Sequence, residues 1–127
     1  MTTPKILVAE DERDIRELIV FALQLSGYKV SQAPNGAEAV KKAKEIIPDL
    51  ILMDVRMPKM TGYEACEILK TDNNTRHIPV VFLSAKGQDA EIQQGKDLGA
   101  EAYFLKPFSP DELSADVKEI LIKYNKL

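Results

Sequence analysis

Short apolar runs alternate along the chain with longer stretches of helical periodicity. Residues 5–9, Lys-Ile-Leu-Val-Ala, predict a strand that ends at the acidic run Glu10-Asp11-Glu12. Ile15, Leu18, Ile19, Ala22 and Leu25 then recur at helical spacing and predict the inward face of a first helix, stopped by Gly27. A second strand is predicted over 28–33, with a turn at Pro34-Asn35-Gly36. The second helix turns Ala39, Val40, Ala43 and Ile47 inward and ends before Pro48. Leu50 to Met53 are consecutive apolar residues, the pattern of a strand buried on both faces, and they run straight into Asp54. A loop marked by Pro58 and Gly62 leads to a third helix over 62–70 with Ala65, Ile68 and Leu69 inward; 71–77 is polar and loop-like.

The second half continues the alternation. Residues 78–83 predict a fourth strand ending at Ser84, and 101–105 a fifth ending at Lys106-Pro107. Between them, about 89–98, lies a fourth helix with the weakest apolar stripe and Gly95 inside it. Ser109, Pro110 and Glu112 read as N-cap, N1 and N3 of a capping box. Leu113, Val117, Ile120, Leu121 and Tyr124 then face inward from the last helix. Strands alternating with helices predict right-handed crossovers and an α/β fold whose parallel sheet is covered on both faces.

Composition narrows the function without naming it. Residues 1–127 suit one domain with a core of its own, and no repeat or linker divides them. The chain has 45% hydrophobic and 29% charged residues, with no apolar run long enough for a membrane span and no signal-peptide pattern at its start. The single cysteine, Cys66, excludes an internal disulfide and fits a reducing cytoplasm. A net charge of −3, with the 17 basic residues dispersed, argues against nucleic-acid binding.

The chemistry gathers at the strand ends. Glu10 and Asp11 follow strand 1, Asp54 ends strand 3, Ser84 ends strand 4 and Lys106 ends strand 5. In a parallel sheet these ends share one edge, where open α/β folds bind their ligands. Carboxylates about 4 Å apart repel by roughly 4 kcal/mol per pair at an effective dielectric of 20, and a divalent cation offsets much of that. Oxygen ligands alone suit Mg²⁺. An aspartate can also act as a nucleophile and form an acyl phosphate. For Glu10, Asp11 or Glu12 alone, a helix N-terminus that favours negative charge is an equal explanation, and the plain reading of Asp54 is a cap on the following turn.

The chain resembles a response-regulator receiver domain of two-component signalling, of the stand-alone, chemotaxis-regulator kind. The matching pieces are Ile6-Leu7-Val8-Ala9-Glu10-Asp11-Glu12, Met53-Asp54-Val55-Arg56-Met57-Pro58-Lys59-Met60-Thr61-Gly62, Leu83-Ser84-Ala85 and Tyr103-Phe104-Leu105-Lys106-Pro107-Phe108. They stand in the family's order and spacing and cover nearly the whole chain. The resemblance implies a flavodoxin-like, doubly wound five-stranded sheet in the order 2-1-3-4-5, with strands 1 and 3 adjacent. It implies that Asp54 accepts a phosphoryl group from a sensor histidine kinase or a histidine phosphotransfer protein. Mg²⁺ would be held by Asp11, Asp54 and the backbone carbonyl of Arg56, with Glu10 acting through water; the family carries Asp or Glu at that place. Lys106 and Ser84 would engage the phosphoryl oxygens, and Tyr103 would turn inward behind Ser84. The output would be the surface of the fourth helix, fifth strand and last helix, read by a downstream target protein. Lys106-Pro107 resembles the family's cis-proline junction.

Several residues have plainer readings. Tyr103 also fits a half-buried strand aromatic. His77 reads as a surface histidine, Cys66 as a small core residue, and Met57 and Met60 as packing. Arg56 and Lys86 lie two positions beyond Asp54 and Ser84, where receivers tune phosphoryl lifetime. Ile15, Leu18, Pro107 and Phe108 are candidates for kinase docking, although helical spacing assigns the first two to the core equally well. Gln94, Ala102 and Asp116 depart from the charge pattern that pairs winged-helix relatives, so a monomer is expected. The alternatives are a receiver fragment of a longer regulator and an aspartate-nucleophile phosphatase. Arg56 stands where that enzyme needs a second Asp. A flavin or nucleotide site would want a glycine-rich loop after strand 1, not acids.

Overall fold

The computed structural model describes residues 3–84, 98–105 and 109–127. Strands β1 (Lys5–Ala9), β2 (Lys29–Ala33), β3 (Leu50–Asp54), β4 (Val80–Ser84) and β5 (Ala102–Leu105) pair in parallel in the order β2-β1-β3-β4-β5. Helices α1 (Arg13–Leu25), α2 (Gly36–Ile46), α3 (Gly62–Thr71) and a C-terminal helix (Pro110–Lys123) cover its faces. The helix predicted over about 89–98 lies outside the described residues except for Leu98, which opens a turn.

Every residue of β3 and β4 is buried, which is why these strands read as unbroken apolar runs. Alternate side chains serve opposite cores. Leu7, Ile51, Met53, Val80 and Phe82 meet Ala39 and Ala43 of α2 and Ala65, Cys66 and Leu69 of α3. Ile6, Val8, Leu50, Leu52, Val81 and Leu83 meet Ile19, Val20 and Leu23 of α1 and Leu113, Val117 and Leu121 of the C-terminal helix. Each fully buried aliphatic side chain contributes about 2 kcal/mol over its exposed state.

Helix α1 departs from the predicted face. Ile19, Val20, Ala22 and Leu23 are buried, whereas Leu18 and Leu25 are 49% and 73% exposed. The helix carries two adjoining apolar stripes, and only the one centred on Ile19 and Leu23 meets the sheet. In α3, Cys66 takes an inward place and Ile68 lies at the boundary, 36% exposed. Helix α2 stops at Ile47, held left-handed at φ 45, because the residue before Pro48 is barred from continuing the helix. At the start of the C-terminal helix, the Ser109 hydroxyl accepts from the Glu112 amide, the predicted N-cap bond.

The end of that helix is tied to β5 through Glu101, which accepts from Lys123 Nζ and Tyr124 Oη, both at 2.6 Å. Burial pushes the Glu101 carboxyl up, but its bonds from Lys123 and Tyr124 outweigh this and hold it below 4.5; the same carboxylate pushes the Tyr124 phenol up to about 12. The Glu101 contribution is therefore present above the unfolded value and lost as pH falls through the lower folded one. The Tyr124 contribution is full below 10.0 and lost as pH rises toward about 12. Glu101→Gln is expected to melt below the parent at neutral pH. That gap closes as the medium is acidified below 4.5 and through the lowered carboxylate value, in thermal melts recorded across the acid range.

Candidate functional site

The sheet's carboxyl edge carries the site. The parallel register pairs Ala9 with Met53, so the next residue of each strand, Glu10 and Asp54, emerges side by side. With Asp11 they form a cluster in which one carboxylate oxygen from each residue lies within 4.8 Å of the other two. Glu10 is fully buried, Asp54 is 8% exposed and Asp11 is exposed. Like charges at that spacing cost about 3 kcal/mol per pair at an effective dielectric of 20, less where water reaches Asp11. A donor set of three carboxylates fits a hard divalent cation, Mg²⁺ above all when further positions are left to water and phosphate.

The backbone around the cluster is pinned from three sides. The Glu10 amide donates to the Ala33 carbonyl at 3.1 Å, and Arg16 Nη1 donates to the Glu10 carbonyl at 2.8 Å. Arg16 Nε reaches Gln32 at 3.2 Å, so one guanidinium joins α1, β2 and the acidic loop. Asp54 Oδ1 accepts from the Arg56 amide at 3.3 Å. The Val55 amide donates to the Leu83 carbonyl and the Gly62 amide to the Val55 carbonyl, folding the loop back onto the strand end. At Gly62 a Cβ would collide with the Asp54 carbonyl oxygen and stand 3.1 Å from Val55 Cα; at Gly36 it would collide with the Met60 carbonyl. The N-termini of α2 and α3 thus bear directly on the loop, and only glycine allows that approach. Thr61 and Glu64 complete a capping box at α3, each side chain bonded to the other's amide.

Ser84 ends β4, 4% exposed, one place beyond the residue paired with Asp54. Tyr103 is half-buried on β5. Its ring packs on Phe82 and its hydroxyl lies 2.6 Å from that of Tyr63. Lys106, Lys86, Pro107, Phe108 and Gln94 lie outside the described residues. Arg56 has an exposed side chain and Met57 a buried one; His77 and Asp116 are exposed and Ala102 is half-buried. Of the docking candidates on α1, Leu18 is exposed and Ile15 is half-buried against the core. Cys66 is buried, and that burial pushes its thiol up to about 11 despite the opposing pull of Lys70, so the thiol is unreactive at neutral pH.

Some contributors were not singled out from the sequence. Thr61-Gly62-Tyr63-Glu64 is a legible capping-box pattern. Arg16 and Tyr63 leave no such sign, because their partners are set by the packing of separate elements.

Fold and site together define a doubly wound α/β protein with an acidic oxygen-donor cluster at the switch point of its sheet. The family model for the response regulator receiver domain matches residues 6–118. The alkaline phosphatase synthesis transcriptional regulatory protein PhoP of Bacillus subtilis is 44% identical over 117 residues, 92% of this chain and 48% of that protein. The chain spans about half the length of the curated relatives it matches. The chemotaxis response regulator CheY4 of Vibrio cholerae superposes with a TM-score of 0.90 at 33% identity, over 94% of this chain and 100% of that one. The receiver domain of a sensor histidine kinase from Pseudomonas aeruginosa, solved with a magnesium ion coordinated in its active site cleft, gives 0.85 at 30% identity, over 93% and 97%. The chain belongs to the response regulator receiver family.

Proposed function

We propose that residues 1–127 form one receiver unit in which Asp54 accepts a phosphoryl group from a phosphohistidine of a sensor histidine kinase or histidine phosphotransfer protein. The observation that carries this is the buried Asp54 at the end of a central strand, with Glu10 and Asp11 oxygens within 4.8 Å. In the transfer an Asp54 oxygen forms the O–P bond while the N–P bond breaks, and the imidazole nitrogen keeps the electron pair. Asp11, Asp54 and the Arg56 carbonyl would hold Mg²⁺, with Glu10 engaged through water. The ion would supply charge neutralisation at the phosphoryl oxygens. Magnesium in the cleft of the Pseudomonas receiver supports that choice of cation. Lys106 pairs with a phosphoryl oxygen, the Ser84 hydroxyl donates to another, and Tyr103 turns inward behind it.

The phosphorylated unit then presents a changed surface to a protein partner, around β5 and the C-terminal helix. The chain acts as a switch that catalyses only its own phosphorylation and dephosphorylation, with Arg56 and Lys86 tuning the lifetime. Arg56 in place of a second aspartate disfavours a phosphatase acting on a separate substrate. Several relatives are transcriptional regulators about twice as long; in our reading this unit, with its net charge of −3, meets proteins and not nucleic acid. The unit is a cytoplasmic monomer in this reading, and no described helix is long and apolar enough to cross a membrane.

Phosphoramidate, whose N–P bond is that of a phosphohistidine, tests the proposal. Intact mass is expected to show a single phosphoryl increment that requires Mg²⁺. A folded protein that gains none in the presence of the ion refutes the reading.

A further inference from the structure

Three aromatic rings from three elements close on one another beside the site. Tyr63, the second residue of α3, stands edge-on to Phe82 of β4, with centroids 5.0 Å apart and an interplanar angle of 82°. Phe82 faces Tyr103, its register partner on β5, at 5.5 Å and 47°. The hydroxyls of Tyr63 and Tyr103 complete the triangle at 2.6 Å, a separation at which one phenol donates and the other accepts.

The two tyrosines are held very differently. Tyr63 follows Gly62, whose amide donates to the Val55 carbonyl at 2.9 Å and which lies so close to the Asp54 carbonyl that a Cβ would collide with it. Through Gly62 it is tied to the Asp54 loop. Tyr103 sits on β5, an edge strand, where solvent is an alternative environment for its ring. Phe82 lies between them, two residues before Ser84.

We infer that Tyr63 is a positioning residue that holds Tyr103 turned in over Phe82, so that the hydroxyl pair links the Asp54 loop to the edge strand. The inference rests on the reading of Tyr103 as the switch residue given above. A ring that turns inward when Asp54 is occupied finds its hydrogen-bond partner already in place. By reciprocity, whatever stabilises the inward position also strengthens binding of a phosphoryl group at Asp54. Tyr63 acts through Tyr103 and touches no phosphoryl oxygen itself.

Tyr63→Phe keeps the edge contact with Phe82 and deletes only a hydroxyl; Tyr103→Phe removes the same bond from the other side. Beryllofluoride, a phosphoryl mimic on carboxylates, is titrated against each in the presence of Mg²⁺. Each single variant is expected to bind about fivefold more weakly, the factor set by one neutral hydrogen bond. The double variant is expected to lose less than the sum of the two single losses. Additive losses, or an unchanged affinity in Tyr63→Phe, overturn the inference.

A second readout needs no phosphoryl chemistry. The chain has four tyrosines and no tryptophan, so fluorotyrosine labelling gives one fluorine NMR signal per tyrosine, and Tyr103→Phe assigns the relevant one. In Tyr63→Phe the Tyr103 signal is expected to move toward that of a solvent-exposed ring; an unmoved signal overturns the inference. A protein whose Tyr103 signal moves, yet which takes up no beryllofluoride, keeps the Tyr63 contact and loses the phosphoryl reading.

Discussion

Asp54→Asn is expected to raise stability by about 1–2 kcal/mol without metal and to abolish the stabilisation that Mg²⁺ gives the parent. Asparagine has nearly the volume of aspartate and keeps an oxygen to accept from the Arg56 amide, so packing changes little. The change removes one negative charge from three whose oxygens lie within 4.8 Å. The full pairwise repulsion, about 3 kcal/mol at an effective dielectric of 20, is reduced by solvent at exposed Asp11, which sets the smaller net figure. With Mg²⁺ at a hundred times its dissociation constant, the parent gains about 2.7 kcal/mol and the variant, lacking the central ligand, gains almost nothing. The order of the two melting temperatures therefore reverses between EDTA and excess Mg²⁺. Equal responses of parent and variant to the ion would place its binding away from Asp54.

Gly62→Ala is expected to cost about 2–3 kcal/mol, a large loss for one added methyl group. The added Cβ meets the Asp54 carbonyl oxygen and crowds the Asp54 carbonyl carbon at 3.0 Å and Val55 Cα at 3.1 Å, all backbone atoms that no rotamer change can clear. Helix propensity works the other way, but Gly62 opens α3, where alanine gains little. Relief comes only by moving α3 off the loop, which also lengthens the Gly62 amide bond to Val55 and shifts Asp54. Urea unfolding is expected to show a lower midpoint at an unchanged slope, with weaker Mg²⁺ binding. A midpoint within error of the parent would show that the loop and α3 separate easily.

The sheet was legible because its central strands are buried on both faces, so Leu50–Met53 and the run ending in Leu83 stand out as unbroken apolar segments. The acidic cluster was legible because a carboxylate at the end of such a strand has no packing role, and Glu10, Asp11 and Asp54 converge as their strand ends require. The face of α1 was not. Helical periodicity reports that a helix is amphipathic, but Leu18, Phe21 and Leu25 make an outer stripe as regular as the inner one, and only the docking angle on the sheet separates them. Arg16 and Tyr63 were hidden for a related reason. Each acts through a bond between elements, to the Glu10 carbonyl and the Tyr103 hydroxyl, and one-dimensional spacing carries no record of either.

The most direct test is to locate the phosphoryl group itself. Protein treated with phosphoramidate and Mg²⁺ is reduced with borohydride, which converts an aspartyl phosphate to homoserine, and then digested and sequenced by mass spectrometry. Homoserine at position 54 alone, absent when Mg²⁺ is withheld, is the predicted result. Phosphate found on Ser84, His77 or Asp11 with Asp54 untouched would contradict the account at its centre.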